Sequence, residues 1–451
     1  MTSSQHTPLS QALRSALDRT GARHALRFHG QDWSGHDLLR HAQTFQKLFE
    51  HLPPGTRIAF IPSAPQNFIP TIIAALEQGL TIALPGMRQA PEDLQPLLDI
   101  GATVHPDLAL LSTHPTTQPH TPDVAFLLKS SGTTGTHDAF VALSAHNIAA
   151  VLDSHTPHMD LAHARVLSSL PWHHAFGLVL DMMATLHQGG TLVRTAPPNP
   201  ERWHHQAITH HITHCHMVPL VAWHLTQDPQ SKPLLHNLTG GIVGGAPINA
   251  PLADALQGTN LRVGYGQTEA APGITLGQPG HWRPFDIGHP LGCDAWIDDT
   301  GQLCIIGPNA CLGWWRGGRL ERRDPSAPLR TGDIVAHNPQ TQTLTFLGRA
   351  DHRFKLRNGR MVNTPGLEAR LRQALRTQAI IIPDTDRALV TLWHDPKTPK
   401  PDFDSALMGG VPHAVHQLTG PMPTTPKGEP DRKAIARRLK ATHNAETRTH
   451  G

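Results

Sequence analysis

Residues 57–84, RIAFIPSAPQNFIPTIIAALEQGLTIAL, hold a complete βαβ pattern in twenty-eight positions. Arg57 to Pro62 is a short apolar run of strand length, Asn67 to Gln78 carries the apolar spacing of a helix, and Thr81 to Leu84 is apolar again, so two buried strands flank one helix. The same kind of run recurs at Val124 to Leu128, Arg165 to Leu170, Thr191 to Arg194 and Gly241 to Val243. Strands separated by helices require crossover connections, which predicts a parallel sheet with both faces covered. The chain has 451 residues, enough for two or three domains and a large core.

Composition narrows the function. Lys plus Arg number 38 against 35 Asp plus Glu, a formal charge of only +3, so no excess of cation is available to coat a nucleic-acid backbone. The four cysteines, Cys215, Cys293, Cys304 and Cys311, lack the spacing of a zinc or redox pair and read as reduced thiols. The apolar stretch Ile69 to Leu84 is broken by Glu77 and Gln78 before it reaches the ~20 residues of a membrane span, and the first twenty residues lack an apolar signal core. A cytoplasmic location is the resulting expectation.

The last third changes character. Residues 319–330, RLERRDPSAPLR, are charged and Pro-bearing and read as an exposed loop. After Gly348 a basic segment leads into a helix over Gly366 to Thr377, strands at Ala379 to Ile382 and Ala388 to Trp393, a loop from Pro421 to Asp431, and a basic helix over Arg432 to Lys440. That is a small α+β module of about 100 residues.

Four segments carry chemistry. Lys129 to Gly135, KSSGTTG, follows the apolar run VAFLL; Gly132 and Gly135 let the backbone turn, while Ser130, Ser131, Thr133 and Thr134 present hydroxyls and amides suited to phosphate oxygens or a magnesium ion. A Ser/Thr-rich turn capping a strand is the plainer alternative. Gly264 to Glu269, GYGQTE, holds the only tyrosine of the chain, Tyr265, a ring able to stack on a flat base, and Glu269, a hard oxygen donor for magnesium. In Arg330 to Asp333, RTGD, Asp333 is placed to accept ribose hydroxyls, and in Gly348 to Glu368 the fork of Arg349 suits ribose or phosphate. A separate metal-protein alternative rests on His210 and His214, four apart within HHQAITHHITHCHMV; a strand running through HCHMV to Pro219 competes with it.

Five stretches in this order resemble the adenylate-forming superfamily of acyl-CoA synthetases, standalone adenylation domains and luciferases: SSGTTG, PWHHAFG at 171–177, GGAP at 244–247 with GYGQTE, RTGD, and GRADHRFK with NGRMV. The resemblance covers nearly the whole chain. It implies a large layered N-terminal α/β domain over 1–348, a hinge over 349–352 centred on Asp351, and a small mobile α+β C-terminal domain over 353–451.

By resemblance, ATP and a carboxylic acid, aryl or short acyl, form an acyl-adenylate, which then passes to the thiol of coenzyme A or of carrier-protein phosphopantetheine. An acyl carrier protein is thus a candidate partner; nucleic acid and a membrane span are not expected. The resemblance places Ser131 to Gly135 around the β- and γ-phosphates, with Ser130 also among the nucleotide-binding residues. Tyr265 and Gly266 lie against adenine beside Gly245 and Ala246, Thr268 and Glu269 serve phosphate and Mg2+ together with Thr133, and Asp333 and Arg349 hold the ribose. His174, Met217 and Val218, together with Trp172 and His173, border the acyl pocket.

Two departures stand out. Relatives follow the phosphate loop with Pro-Lys, where this chain has His137 and Asp138; and the adenylation lysine of a Gly-Lys pair is replaced in PKGEPDR by Glu429, with Lys427 two residues earlier. Lys427 is the candidate replacement, since its four-carbon stem is flexible. A degenerate protein that binds nucleotide or acyl-adenylate without full ligase activity is the alternative.

Overall fold

The structure is a computed structural model, and it describes residues 7–60, 64–84, 103–105, 121–129, 139–195, 199–350, 353–358, 360–384, 386–394, 399–424 and 430–439. The chain divides into two compact units, Met1–Ala295 with Ile305–Leu329, and Trp296–Cys304 with Arg330–Gly451.

In the first unit the βαβ pattern forms as the residues dictate. The helix Pro65–Gln78 opens on a proline, whose fixed φ suits the first turn, and closes on Gly79 in the left-handed conformation (φ 74°). Phe68, Ile69, Ile72, Ile73 and Leu76 are all buried, each stabilising the fold by about 1.5–3 kcal/mol. Glu77 remains polar, and its carboxylate accepts from Arg14 of the helix Thr7–Thr20 at 3.0 Å. The flanking strands Arg57–Phe60 and Thr81–Leu84 run parallel as interior neighbours in a seven-stranded sheet. Its order is Arg319–Arg322, Gly313–Arg316, Phe140–Leu143, Phe126–Lys129, Thr81–Leu84, Arg57–Phe60 and Thr103–His105.

This sheet corrects two expectations. Only its Thr103–His105 to Phe126–Lys129 side is parallel; from Phe140–Leu143 outward the strands pair antiparallel. Arg319–Arg322 is not loop but the edge strand, paired antiparallel with Gly313–Arg316. Its charges are those of an edge facing water, where they discourage pairing with another chain.

A second, five-stranded sheet has the order His214–Cys215, Arg165–Ser168, Thr191–Arg194, His24–Phe28, Gln31–Ser34, parallel except for the last hairpin. Within the first unit a third layer runs Ile242–Gly244, Arg262–Tyr265, Thr275–Leu276, Asp286–Pro290; its first pair is parallel and the rest antiparallel. The alternation of strand and helix therefore ends near Thr275 rather than continuing towards residue 350.

The second unit contains the hairpin Leu329–Asn338 with Thr343–Arg349, a short hairpin Arg353–Lys355 with Met361–Asn363, and the helix Thr364–Leu375. A three-stranded sheet of Gln378–Pro383, Ala388–His394 and His413–Thr419 completes it. Its sheet buries Ile380, Ile382 and Trp393 against Ile435 and Leu439 of a helix over 432–439. Among the described residues no helix is long and apolar enough to cross a membrane.

Candidate active site

Two parallel strands end side by side in the first unit, and each runs directly into one of the polar segments singled out from sequence. Ile242–Gly244 pairs with Arg262–Tyr265 in the register Val243 to Val263 and Gly244 to Gly264. Gly245 then turns with φ 87°, a conformation that a side chain would oppose. Across from it, Gly266 lies against the Pro272 carbonyl so closely that a Cβ there would sit 1.4 Å from the oxygen. Gly245 and Ala246 are thereby set beside Tyr265 and Gly266 at the open end of the strands.

Met217 joins the same layer as a third partner. Its amide donates to the Ile242 carbonyl at 2.9 Å and its carbonyl accepts from the Gly244 amide at 3.1 Å, which leaves Val218 next to Gly245. Met217 is 1% exposed and packs in the core, whereas Val218 is half-buried. Thr268 and Glu269 begin a tight turn, Thr268–Ala270, both half-buried. The Glu269 carbonyl accepts from the Cys311 amide at 2.8 Å, fixing the backbone that carries the carboxylate. Burial, helped by the negative charge of Glu269, pushes the Cys311 thiol up to about 12. A half-buried carboxylate on a fixed turn, with a threonine hydroxyl beside it, is a hard oxygen donor set that fits a magnesium ion.

In the second unit Asp333 and Arg349 are cross-strand partners, and the Arg349 guanidinium donates from Nη1 to Asp333 Oδ1 at 2.8 Å. The same Nη1 reaches the Thr331 carbonyl at 3.2 Å, and the Asp333 amide donates to Thr331 Oγ1 at 3.1 Å. The two residues expected to share a ribose are thus bound to each other.

His174 is exposed at the turn after the strand Arg165–Ser168. Its neighbour His173 lies with ring centroids 4.3 Å away. Burial, with His174 and Arg194 nearby, holds the His173 imidazole down at about 3. Trp172, expected to border the acyl pocket, is instead a core residue, 1% exposed, stacked on Phe68 at 5.6 Å with the Arg194 guanidinium 4.4 Å over its ring. Sequence reasoning missed Arg194 and Asp181. Asp181 is fully buried in the π-helix Phe176–Met183, accepting from Ser168 Oγ and, at 3.2 Å, from Trp172 Nε1. The available signal was one aspartate inside the apolar run GLVLDMM.

Several expectations fall outside the described residues: Ser130, Ser131, Gly132, Thr133, Thr134 and Gly135 of the phosphate loop with His137 and Asp138, the hinge residue Asp351, and Lys427 with Glu429. The His210 and His214 metal alternative is corrected. The helix Pro200–Thr209 ends before His210, so the two imidazoles do not share a helical face. His210 Nδ1 lies 3.1 Å from Arg27 Nη1, while His214 is buried in a strand with Nδ1 2.9 Å from Thr213 Oγ1. Among the described residues no group of three or more His, Cys, Asp or Glu could hold a metal ion.

Layered α/β architecture with these strand-end segments defines an adenylate-forming protein. Residues 87–315, just over half of the chain, match the family described as AMP-binding enzyme, and the chain belongs to that family, within the adenylate-forming superfamily. Malformin synthetase mlfA of Aspergillus niger is 30% identical over 202 residues, 38% of this chain and 4% of that protein. Long-chain-fatty-acid–CoA ligase 1 of Homo sapiens is 30% identical over 144 residues, 28% of this chain and 20% of that protein. The chain thus spans a small part of the curated relatives it matches. The crystal structure of ATP-bound MatB from Rhodopseudomonas palustris superposes with a TM-score of 0.75 at 19% identity, covering 95% of this chain and 98% of that one.

Proposed function

We propose that the protein activates a carboxylic acid, aryl or short acyl, with ATP and transfers the acyl group to a thiol of coenzyme A or carrier-protein phosphopantetheine. A carboxylate acylates poorly because its leaving group would be an oxide. In the first step a carboxylate oxygen bonds to the α-phosphorus as the bond to pyrophosphate breaks; in the second a thiolate sulfur bonds to the acyl carbon as the bond to AMP breaks. Both steps bring anions together, so the protein's task is to orient them and offset developing charge.

The observation that carries this function is the convergence of Gly245–Ala246 and Tyr265–Glu269 at the ends of two adjacent parallel strands, in a chain of the AMP-binding enzyme family. Open strand ends of α/β sheets are where ligands bind. Tyr265 would stack on adenine against the backbone of Gly245 and Ala246. Asp333, oriented by Arg349, would accept the ribose hydroxyls, and the loop from Ser130 to Gly135 would donate to the phosphates. Glu269 and Thr133 would hold magnesium, which when bound neutralises phosphate charge. Val218 and His174 would face the acid, and Lys427 would supply the cation that Glu429 does not. The hinge at Asp351 and the 1–348 and 353–451 domains belong to the same proposal, as does a carrier protein as acceptor.

ATP–pyrophosphate exchange with a panel of aryl and short-chain acids tests it. Exchange with at least one acid is expected, followed by thioester formation when coenzyme A or a phosphopantetheinylated carrier is added. ATP binding without exchange for any acid would refute ligation and favour a degenerate nucleotide-binding protein, to which Asp138 and Glu429 both point.

A further inference from the structure

Three strands of the five-stranded sheet, Arg165–Ser168, Thr191–Arg194 and His214–Cys215, are parallel neighbours. The chain leaves the first of them through Ser169 to His174. That segment is held from beneath by a buried polar relay. Arg194, from the end of the second strand, donates through Nη1 to the Leu170 carbonyl at 2.6 Å, the Ser168 carbonyl at 3.1 Å and Ser168 Oγ at 3.2 Å. Ser168 Oγ donates in turn to Asp181 Oδ2, and Trp172 Nε1 donates to both Ser168 Oγ, at 3.1 Å, and Asp181 Oδ2. From the other side Gly177 accepts the turn so closely that a Cβ would meet the Pro171 carbonyl oxygen at 2.3 Å.

Ser168, Trp172 and Asp181 are each no more than 1% exposed. Asp181 Oδ1 is buried with no hydrogen-bond partner among the described residues. A carboxylate so enclosed is costly to bury, and burial pushes Asp181 up to about 6; Ser168, Arg194 and Trp172 offset part of that cost. Its side-chain partners, Ser168 and Trp172, lie at the start of and within the segment that ends at His173 and His174.

We propose that Asp181 is a positioning residue: through Ser168 and Arg194 it fixes the segment Ser169 to His174 and so sets where His174 meets the acid. This inference rests on the proposed acid-binding role of His174. The relay itself does not.

The test uses the full chain and two variants, D181N and S168A, the second removing a single hydroxyl where the first fails to fold. Labelling with diethyl pyrocarbonate, followed by peptide mass spectrometry, reads each imidazole separately. Half-buried His173 should label several-fold faster in both variants, while exposed His158, on another turn, and buried His155 and His216 keep their wild-type rates. In exchange assays with the panel acid that turns over fastest, the KM for that acid should rise about tenfold, the scale of a hydrogen bond lost to a charged group, with the KM for ATP unchanged. Unchanged labelling of His173, equal acceleration at His155 and His216, or equal shifts in both KM values would overturn the proposal. If no acid supports exchange in the wild type, the ligase function falls, and the labelling pattern alone decides for or against the relay.

Discussion

Replacing Arg432 by Met probes how the second unit holds its last helix. The guanidinium meets Glu368 in a two-point contact, Nη1 to Oε1 and Nη2 to Oε2 both at 2.7 Å, and the carboxylate is only 4% exposed. Glu368 Oε1 also accepts from the Ile381 amide at 2.6 Å, and Arg372 Nη1 stands 3.7 Å from Oε2. Removing one member of a buried pair costs about 3–5 kcal/mol because the remaining charge is left uncompensated. Arg372 and the Ile381 amide stay in place, so the low end, about 3 kcal/mol, applies. Hydrogen exchange of the Ile381 amide in the full-length protein reads this locally, and at 1.4 kcal/mol per decade it should accelerate about a hundredfold. The double replacement E368M/R432M also removes the acceptor of the Ile381 amide and leaves Arg372 without this partner, so the amide should be no better protected in it than in R432M. An acceleration below about fivefold (1 kcal/mol), or a double variant better protected than R432M, would refute the assignment of this pair as the anchor.

Further outcomes test other parts of the proposed function and of the fold. Lys427→Ala should abolish ATP–pyrophosphate exchange, whereas Lys433→Ala, an exposed position on the helix over 432–439, should leave it intact. Asp333→Asn weakens the contact to Arg349 and removes the charged ribose acceptor, so the KM for ATP should rise by about 10- to 100-fold with the acid KM unchanged. Gly266→Ala should lower the thermal midpoint by an amount equivalent to about 1–3 kcal/mol, since the added carbon has to displace the Pro272 backbone. Burial holds the His216 imidazole down at about 3, below the 6.5 of an unburied histidine. The folded state therefore binds fewer protons than the unfolded chain between those values, and stability is lost as pH falls from 6.5 towards 3. Denaturant titrations of His216→Gln should show this acid slope reduced by up to about 1.4 kcal/mol per pH unit.

The central βαβ unit was legible because its apolar spacing, its proline start and its glycine stop all agree. The small unit was nearly as clear; its helix begins at Thr364 rather than Gly366, with Pro365 tolerated in a first turn that lacks acceptors. Arg319–Arg322 was misread because an edge strand with water on one side has the composition of a loop. The His210 and His214 alternative rested on spacing alone, which carries no information about where a helix stops. The segments Gly245–Ala246 and Tyr265–Glu269 were legible locally as short runs at the ends of the strands Ile242–Gly244 and Arg262–Tyr265. The Asp181 relay was not: Ser168, Asp181 and Arg194 are separated by 13 residues on each side, and only packing of a helix over two strand ends brings them together.

The paired glycines Gly244 and Gly264 have a consequence for how such a protein can change. A Cβ on the first would sit 2.4 Å from the carbonyl oxygen of the second, so this wall is almost pure main chain. Under the proposed function, the purine face opposite Tyr265 meets main chain that point mutation can barely retouch, while the acid meets Val218 and His174, which any substitution rewrites. Divergence is thereby channelled to the acid's side of the proposed site: new acids are reachable by single steps more readily than a new nucleotide.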